Sequence, residues 1–471
     1  MKILSVIVGI LIPVSVAAAG AVFLGLWLRG GPGMDLEQRL PVVERSAPER
    51  QVQVFPAVFV AGSAEPADLP GLWPRFRGSG FNAVSTEAVP LARAWPPSGP
   101  PVLWSVELGA GYAGPAILDG KVYILDYDEK ERGDALRCLS LADGQEIWRL
   151  WYPIRLPAQH GVSRTVPAVM EKYVVTLGPA CHVMCADAQT GKFLWGIDLS
   201  ADYGTEVPLW YASQCPLIDD GKAIIAPAGS RMMIAVDCAT GEVVWEAPNP
   251  RSWKMTHSSI TPMEWAGEKM YLYCASGGLV GVSAADGKIL WEYPDWKVPT
   301  SNAPAPVVIG DGRIFLTGGY RAGSAIIQLS EEAGKIAPKV LFRLEQKVFG
   351  SEMQTPIFHQ GHIYGVMTKD AGRLAEQLIC LNMQGRQVWT SGPENRFGPF
   401  GGPYIIADGK IFVMNDDGVL TLIEATPKAY RQLARAKVLT GKESWAPMAI
   451  AGGRLIVRDV SRMICLDVRA K

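Results

Sequence analysis

The stretch Cys185-Ala-Asp187-Ala-Gln-Thr-Gly191-Lys-Phe-Leu-Trp195 decides the fold, because near copies of it recur along the chain at almost constant internal spacing. The distance from the Asp187 position to the tryptophan is the same in Ser140 to Trp148, Asp187 to Trp195, Asp237 to Trp245 and Ser283 to Trp291, and one residue shorter in Asn382 to Trp389. In each copy a glycine (Gly144, Gly191, Gly241, Gly287, Gly385) follows short polar residues and precedes a run ending in Trp. That order reads as strand, tight turn, strand. The glycine supplies the positive φ the turn requires, and the Asp or Asn side chain caps turn amides. The Trp is then placed to lie flat on the neighbouring unit and bury a large apolar surface.

Upstream of each hairpin, Pro and small apolar residues are followed by a Gly turn and a β-rich run, as in Pro115 to Leu125 and Pro216 to Ile225. Equivalent starts at Pro167, Pro262, Pro306, Pro356, Pro403 and Pro447 give eight units spaced roughly 44 to 52 residues apart, the period of a four-stranded propeller blade. The last unit stops at Cys465-Leu-Asp467 and Lys471, before any Gly turn or Trp. Its missing outer strand is available in Pro101-Val-Leu-Trp104-Ser-Val-Glu-Leu108, so the ring is expected to close without an open sheet edge. The expectation is an all-β, eight-bladed propeller of four-stranded antiparallel blades, with Trp104, Trp148, Trp195, Trp245, Trp291 and Trp389 as structural residues.

The 471 residues carry a net charge of −1 with 50 Gly and 35 Pro, a composition that suits a turn-rich β protein. Near-neutrality and the lack of a basic, aromatic-interleaved run argue against nucleic acid. Ile3 to Leu28 is free of charge, and as a helix would span about 39 Å, more than the ~30 Å hydrocarbon core requires. A cleavable signal peptide ending at Ala17-Ala-Ala19 is the competing reading. The anchor is favoured because the apolar run continues past that site. The implied organisation is a transmembrane helix over residues 1–30, a linker over 31–70 and the propeller over 71–471, on the cytoplasmic membrane and facing the periplasm or exterior. Lys2 and Arg29 flank the run evenly, so the charge asymmetry that sets orientation is weak. Within the linker, Val52 to Val60 has the composition of a short strand.

Four of the eight Cys (Cys138, Cys185, Cys380, Cys465) stand two residues before the Asp-type position of the repeat, where other copies carry Ala235 and Gly281. They fill a slot for a small residue, which a buried Cys suits as a small hydrophobe. Cys215, Cys238 and Cys274 lie outside it and leave a cross-blade disulfide open. Cys181 and Cys185 on one strand are about 13 Å apart, too far for a disulfide. His359-Gln-Gly361-His362 falls at the turn between the first two strands of its unit and reads as solvated turn rather than metal site.

In a propeller the innermost strands line a central channel, and the loops entering them ring one mouth. The residues just before each Pro are therefore the candidates for a site. Arg164, Gln214, His257, Asn302, Glu352 and Gln354 form the candidate binding set, and Tyr112, Ser258, Phe400, Glu443, Ser444 and Trp445 share their positions. A polar ligand or metal is one reading of this mixture, and a water-filled, hydrogen-bonded funnel is the other.

The repeat resembles the tryptophan-docking motif of pyrroloquinoline quinone (PQQ) propellers, shared by quinoprotein alcohol dehydrogenases and BamB-type outer-membrane assembly scaffolds, over nearly all of Trp73 to Asp467. A narrower resemblance is to membrane-associated or secreted PQQ-like repeat proteins of planctomycetes and related bacteria. It rests on Trp73-Pro-Arg-Phe-Arg-Gly78 with Ser85, Trp104, Gly111-Tyr-Ala-Gly-Pro115, Asn302-Ala-Pro-Ala-Pro306, Gly318-Gly-Tyr320 and an insertion over Ala425 to Leu439. The dehydrogenases carry adjacent Cys residues packed on the quinone, and no two Cys are adjacent here. They also hold calcium with a Glu, an Asn and an Asp. Glu352 and Asn302 match the first two, and no Asp stands in the candidate set. The favoured expectation is a non-catalytic scaffold binding another envelope protein. The alternative is a PQQ- and calcium-dependent dehydrogenase, with Glu352 and Asn302 on the metal and Arg164 near the quinone oxygens.

Overall fold

The computed structural model describes residues 17–25, 57–157 and 160–470. The chain divides into two units, residues 1–53 and 54–471. In the first, residues 17–25 are helical and exposed. The remainder of the apolar run Ile3 to Leu28 and residues 31–56 of the linker lie outside the described residues. Among the described residues no helix is long and apolar enough to cross a membrane.

In the second unit the strands form eight antiparallel sheets. Seven run in sequence from the innermost strand outward. These innermost strands are Ala116–Leu118, Ala168–Met170, Leu217–Asp219, Thr261–Trp265, Val307–Gly310, Ile357–His359 and Tyr404–Ala407, which open blades one to seven. The eighth blade takes Ala449–Ala451, Arg454–Arg458 and Arg462–Asp467 from the C-terminal end and its outer strand from Val102–Glu107, with Trp104 opposite Cys465. The ring is thus closed by the two ends of the domain. Val58–Ala61 adds a fifth strand to blade one, pairing with Trp148–Trp151. Ala425 to Leu439 is no insertion. It contains Gln432–Lys437, the fourth strand of blade seven, paired with Val419–Glu424.

The recurring hairpin explains how each blade is joined to the next. Asp187 Oδ1 accepts from the Gln189 and Thr190 amides at 3.0 and 2.7 Å, and Asp237 and Asn382 cap their own turns in the same way. The glycine that follows sits under the Trp of the preceding blade. A Cβ on Gly241 (φ +76°) would stand 2.7 Å from Trp195 Cγ. The indole nitrogen then reaches a backbone carbonyl of the next blade: Trp104 to Leu141 O at 3.0 Å, Trp195 to Cys238 O at 2.9 Å, Trp245 to Ala284 O at 3.1 Å and Trp389 to Thr426 O at 2.9 Å. Blade five, built on two ten-residue strands, departs from this. Phe342 takes the Trp position against Gly385, and Trp291 of blade four donates within its own blade to Met270 Sδ. All eight Cys are buried free thiols.

The channel is crossed by the chain itself. Trp73 exchanges two backbone hydrogen bonds with Ile117 of blade one, Val169 of blade two donates to Pro74 O, and Arg75 Nη1 donates to Ile218 O of blade three. On the far side, Arg77 donates to Thr355 O at 2.8 Å and Pro356 O at 2.9 Å at the start of blade six, and Ile406 of blade seven donates to Ala83 O. Because Ile117, Val169, Ile218 and Ile406 lie on innermost strands of blades facing one another, residues 73–85 span the axis and stopper it. The Arg77 guanidinium is buried, which holds its pKa down to about 10. Three bonds to carbonyls, counting Phe81 O, compensate its burial.

Candidate functional site

Above this stopper the ring opens into a cavity of about 850 Å³, with Phe76 of the crossing segment in its lining. Two sets of loops form the wall. One set leads into the innermost strands and brings Tyr112, Arg164, His257, Glu352, Gln354, Phe400 and Trp445. The other connects second to third strands and brings Tyr320, Glu376, Asp416 and Asp417. Both sets sit at one end of the ring because each blade runs up, down and up again along the axis.

The structure brings four of the six sequence candidates into the cavity: Arg164, His257, Glu352 and Gln354. Gln214 and Asn302 are turned into the protein. Gln214 is buried and clips its own blade, donating from Nε2 to Ala226 O at 3.1 Å and accepting from Ala226 N at 2.9 Å. Asn302 is buried beside the Cys274 thiol. Position before the Pro fixes which loop a residue occupies, and the backbone torsions of that loop decide which side chain points inward. The acidic residues of the second loop set stand outside the loops that enter the innermost strands, and so outside the set expected from position before the Pro. The signal was present in Asn415-Asp-Asp-Gly418, a polar turn between two apolar runs.

One wall of the cup is an aromatic and carboxylate cluster. The Tyr112 hydroxyl donates to Glu443 Oε2 at 2.6 Å and accepts from His160 Nε2 at 2.9 Å. The Tyr112 ring stacks on Trp445 with centroids 5.1 Å apart, and Phe400 meets Trp445 edge-on at 4.8 Å. The chain sets cations on two of these rings: the Arg164 guanidinium 4.8 Å from the Tyr112 centroid and Lys369 Nζ 4.6 Å from that of Phe400. Arg164 also donates to His160 O. Burial, with the crowding of Asp417, Glu376 and Glu443, pushes the Asp416 carboxyl up to about 6. Burial likewise raises Glu352, against the opposing charge of Lys369.

His257 is an unsuitable base. Its Nε2 donates to Leu209 O at 2.7 Å, Nδ1 accepts from the Ser301 hydroxyl at 3.0 Å, and burial lowers its pKa to about 4. It therefore stays neutral and tied at both nitrogens. His359 and His362 occupy the turn ends expected of them, with Gly361 at φ +73°.

A calcium-bound quinone does not fit this donor set. Glu352 faces the cup, Asn302 is buried away from it, and among the described residues no three His, Cys, Asp or Glu side chains converge as metal ligands. No adjacent Cys pair is present to pack on a quinone.

A family model described as outer membrane protein assembly factor BamB matches residues 131–384, from within blade one to blade six. The chain belongs to this family. Among solved structures it is similar to BamB from Moraxella catarrhalis (TM-score 0.53, 14% identity, covering 78% of this chain and 99% of that one). It is also similar to a europium-containing methanol dehydrogenase (TM-score 0.55, 13% identity, covering 83% and 90%) and to the computationally designed Ika8 protein (TM-score 0.51, 11% identity, covering 78% and 99%). At these identities the likeness is one of fold. No curated protein matches the chain.

Proposed function

We propose that this BamB-family propeller is a non-catalytic interaction scaffold of the cell envelope, tethered to the cytoplasmic membrane by Ile3 to Leu28 and facing the periplasm or exterior. The observation that carries the reading is the cup itself. It is a stoppered cavity of about 850 Å³ whose walls hold aromatic rings and charged side chains, while its one buried histidine is locked neutral by Leu209 and Ser301. Such a cup offers aromatic, hydrogen-bonding and charged groups for recognising a partner. The eight buried Cys are compatible with an oxidising compartment, since buried thiols are inert.

The test is co-purification of the full chain under mild solubilisation. A stoichiometric envelope protein is the expected result, and recovery of the chain alone at every ionic strength would count against the scaffold. Protease added to spheroplasts should remove the propeller. Protection until lysis would reverse the topology. Mixing with PQQ and Ca²⁺ followed by gel filtration should leave no quinone absorbance on the protein.

A further inference from the structure

We infer, building on the reading of the cup as a partner-binding site, that its occupant is a basic segment of a partner polypeptide, with a Lys or Arg side chain seated against Glu376, Asp416 and Asp417 beside the ring of Phe400. The first ground is charge. Five carboxylates (Glu352, Glu376, Asp416, Asp417, Glu443) line the cavity against Arg164, Arg396 and Lys442, with Lys369 a fourth cation on the Phe400 ring. The excess is concentrated at Asp416, where the neighbouring charges of Asp417, Glu376 and Glu443 are all negative. Attraction of a cation into a concave, partly desolvated site is stronger than at an open surface.

The second ground is that, while Glu443 is met by Tyr112 and His160 and Glu352 by Tyr320 and the charge of Lys369, Glu376, Asp416 and Asp417 of the second loop set enter no ion pair among the described residues. Away from the cup carboxylates are paired with cations, as in Asp219 with Lys269 at 2.6 Å, Glu246 with Arg231 at 2.7 Å and Glu292 with Arg251 at 2.7 Å. Asp416 instead feels the like charges of Asp417, Glu376 and Glu443 on top of its burial. A group of acids held together without a cation is relieved by a cation from outside.

The third ground is the aromatic surface. Lys369 and Arg164 already rest on Phe400 and Tyr112, so this wall is built to hold cations over rings, and a ligand ammonium or guanidinium has the same chemistry to use. A polypeptide suits the remainder of the lining better than a bare amine. Its amides can pair with Gln354 and the hydroxyls of Ser213 and Ser259, and its apolar side chains can meet Trp210 and Tyr320. The cavity lies in the upper part of the range of about 300–1,000 Å³ typical of specific ligand sites.

The experiment is fluorescence anisotropy of a fluorescein-labelled Gly-Lys-Leu-Arg-Gly-Lys peptide titrated with the full chain. A second peptide carries Glu at each basic position, and free spermidine serves as competitor. The basic peptide should bind saturably and less tightly as salt is added, with the charge-reversed peptide at least about tenfold weaker. The double variant D416N/D417N should weaken the basic peptide about tenfold, whereas D220N/D311N, on exposed turns outside the cup, should leave it unchanged. Glu376→Gln, on a separate loop, should also weaken it and stands in if the double variant unfolds. Equal or tighter binding of the acidic peptide, or unchanged affinity in both cup variants, overturns the inference. Spermidine competing as well as the unlabelled peptide overturns the polypeptide occupant. A co-purifying partner retained by D416N/D417N would keep the scaffold and sink the cup assignment. Basic-peptide binding without any co-purifying partner would do the reverse.

Discussion

The seams between blades and the mouth of the cup are made by the same repeating unit, yet they follow opposite rules. At four seams a Trp of one blade donates to a carbonyl of the next at 2.9 to 3.1 Å. The seams tolerate little variation because each must hold the same blade-to-blade geometry. Where blade five replaces Trp by Phe342, the pattern is kept by another ring over Gly385. At the mouth the equivalent loop positions carry Tyr112, Arg164, His257, Glu352 and Phe400, with no two alike. Repetition marks where packing sets the residue, and divergence marks where the ligand is free to set it.

Perturbing each region in turn tests the contrast. The largest effect is expected from deleting residues 101–108, which removes the outer strand of blade eight and the Trp104 contact to Leu141. The ring should fail to give soluble, cooperatively melting protein. A truncated chain with unchanged melting would refute closure by this strand. Next, Trp195→Ala should cost about 3–5 kcal/mol in denaturant titration, as large aromatic truncations in packed sites do, while the folded fraction keeps any affinity of the cup. Loss of binding at full stability would show that the tryptophans belong to a site.

Arg77→Ala tests the stopper, which belongs to neither region. It leaves the Thr355 and Pro356 carbonyls without their donors and should cost about 2–3 kcal/mol, the range for charged hydrogen bonds lost in the interior. Asp416→Asn should work in the other direction. The folded protein holds the Asp416 proton up to about 6, against an ordinary value of 3.8. Ionisation therefore opposes folding increasingly as pH rises from 3.8 to about 6, and the penalty is fully present above about 6. Removing the charge should raise stability by about 1 kcal/mol at pH 8 once solvent screening is allowed for. The gain should fade between about 6 and 3.8 as the native carboxylate itself becomes protonated, which melting curves across that range would follow. Smallest of all, Glu376→Gln should change stability by less than about 0.5 kcal/mol, as substitutions outside the packed core usually do, so any loss of binding by this variant reports on the cup alone.

The architecture was legible in the sequence. A turn that needs Gly at positive φ, a cap at the Asp187 position and a Trp at fixed separation are local requirements, and their recurrence gives blade number, order and closure at Trp104 without knowledge of contacts. The slot that holds Cys138, Cys185, Cys380 and Cys465 was legible for the same reason. Only the tertiary structure decided the site. Whether Gln214 points at Ala226 or at the axis depends on loop torsions that no periodicity constrains. The gathering of Glu376, Asp416 and Glu443 on one wall joins residues from three successive blades. Arg77, which spacing alone places in a short polar segment, became the far anchor of a stopper because its guanidinium meets two carbonyls nearly three hundred residues away in sequence. Such long-range pairing is set by how the ring closes in space, and the repeat carries no mark of it.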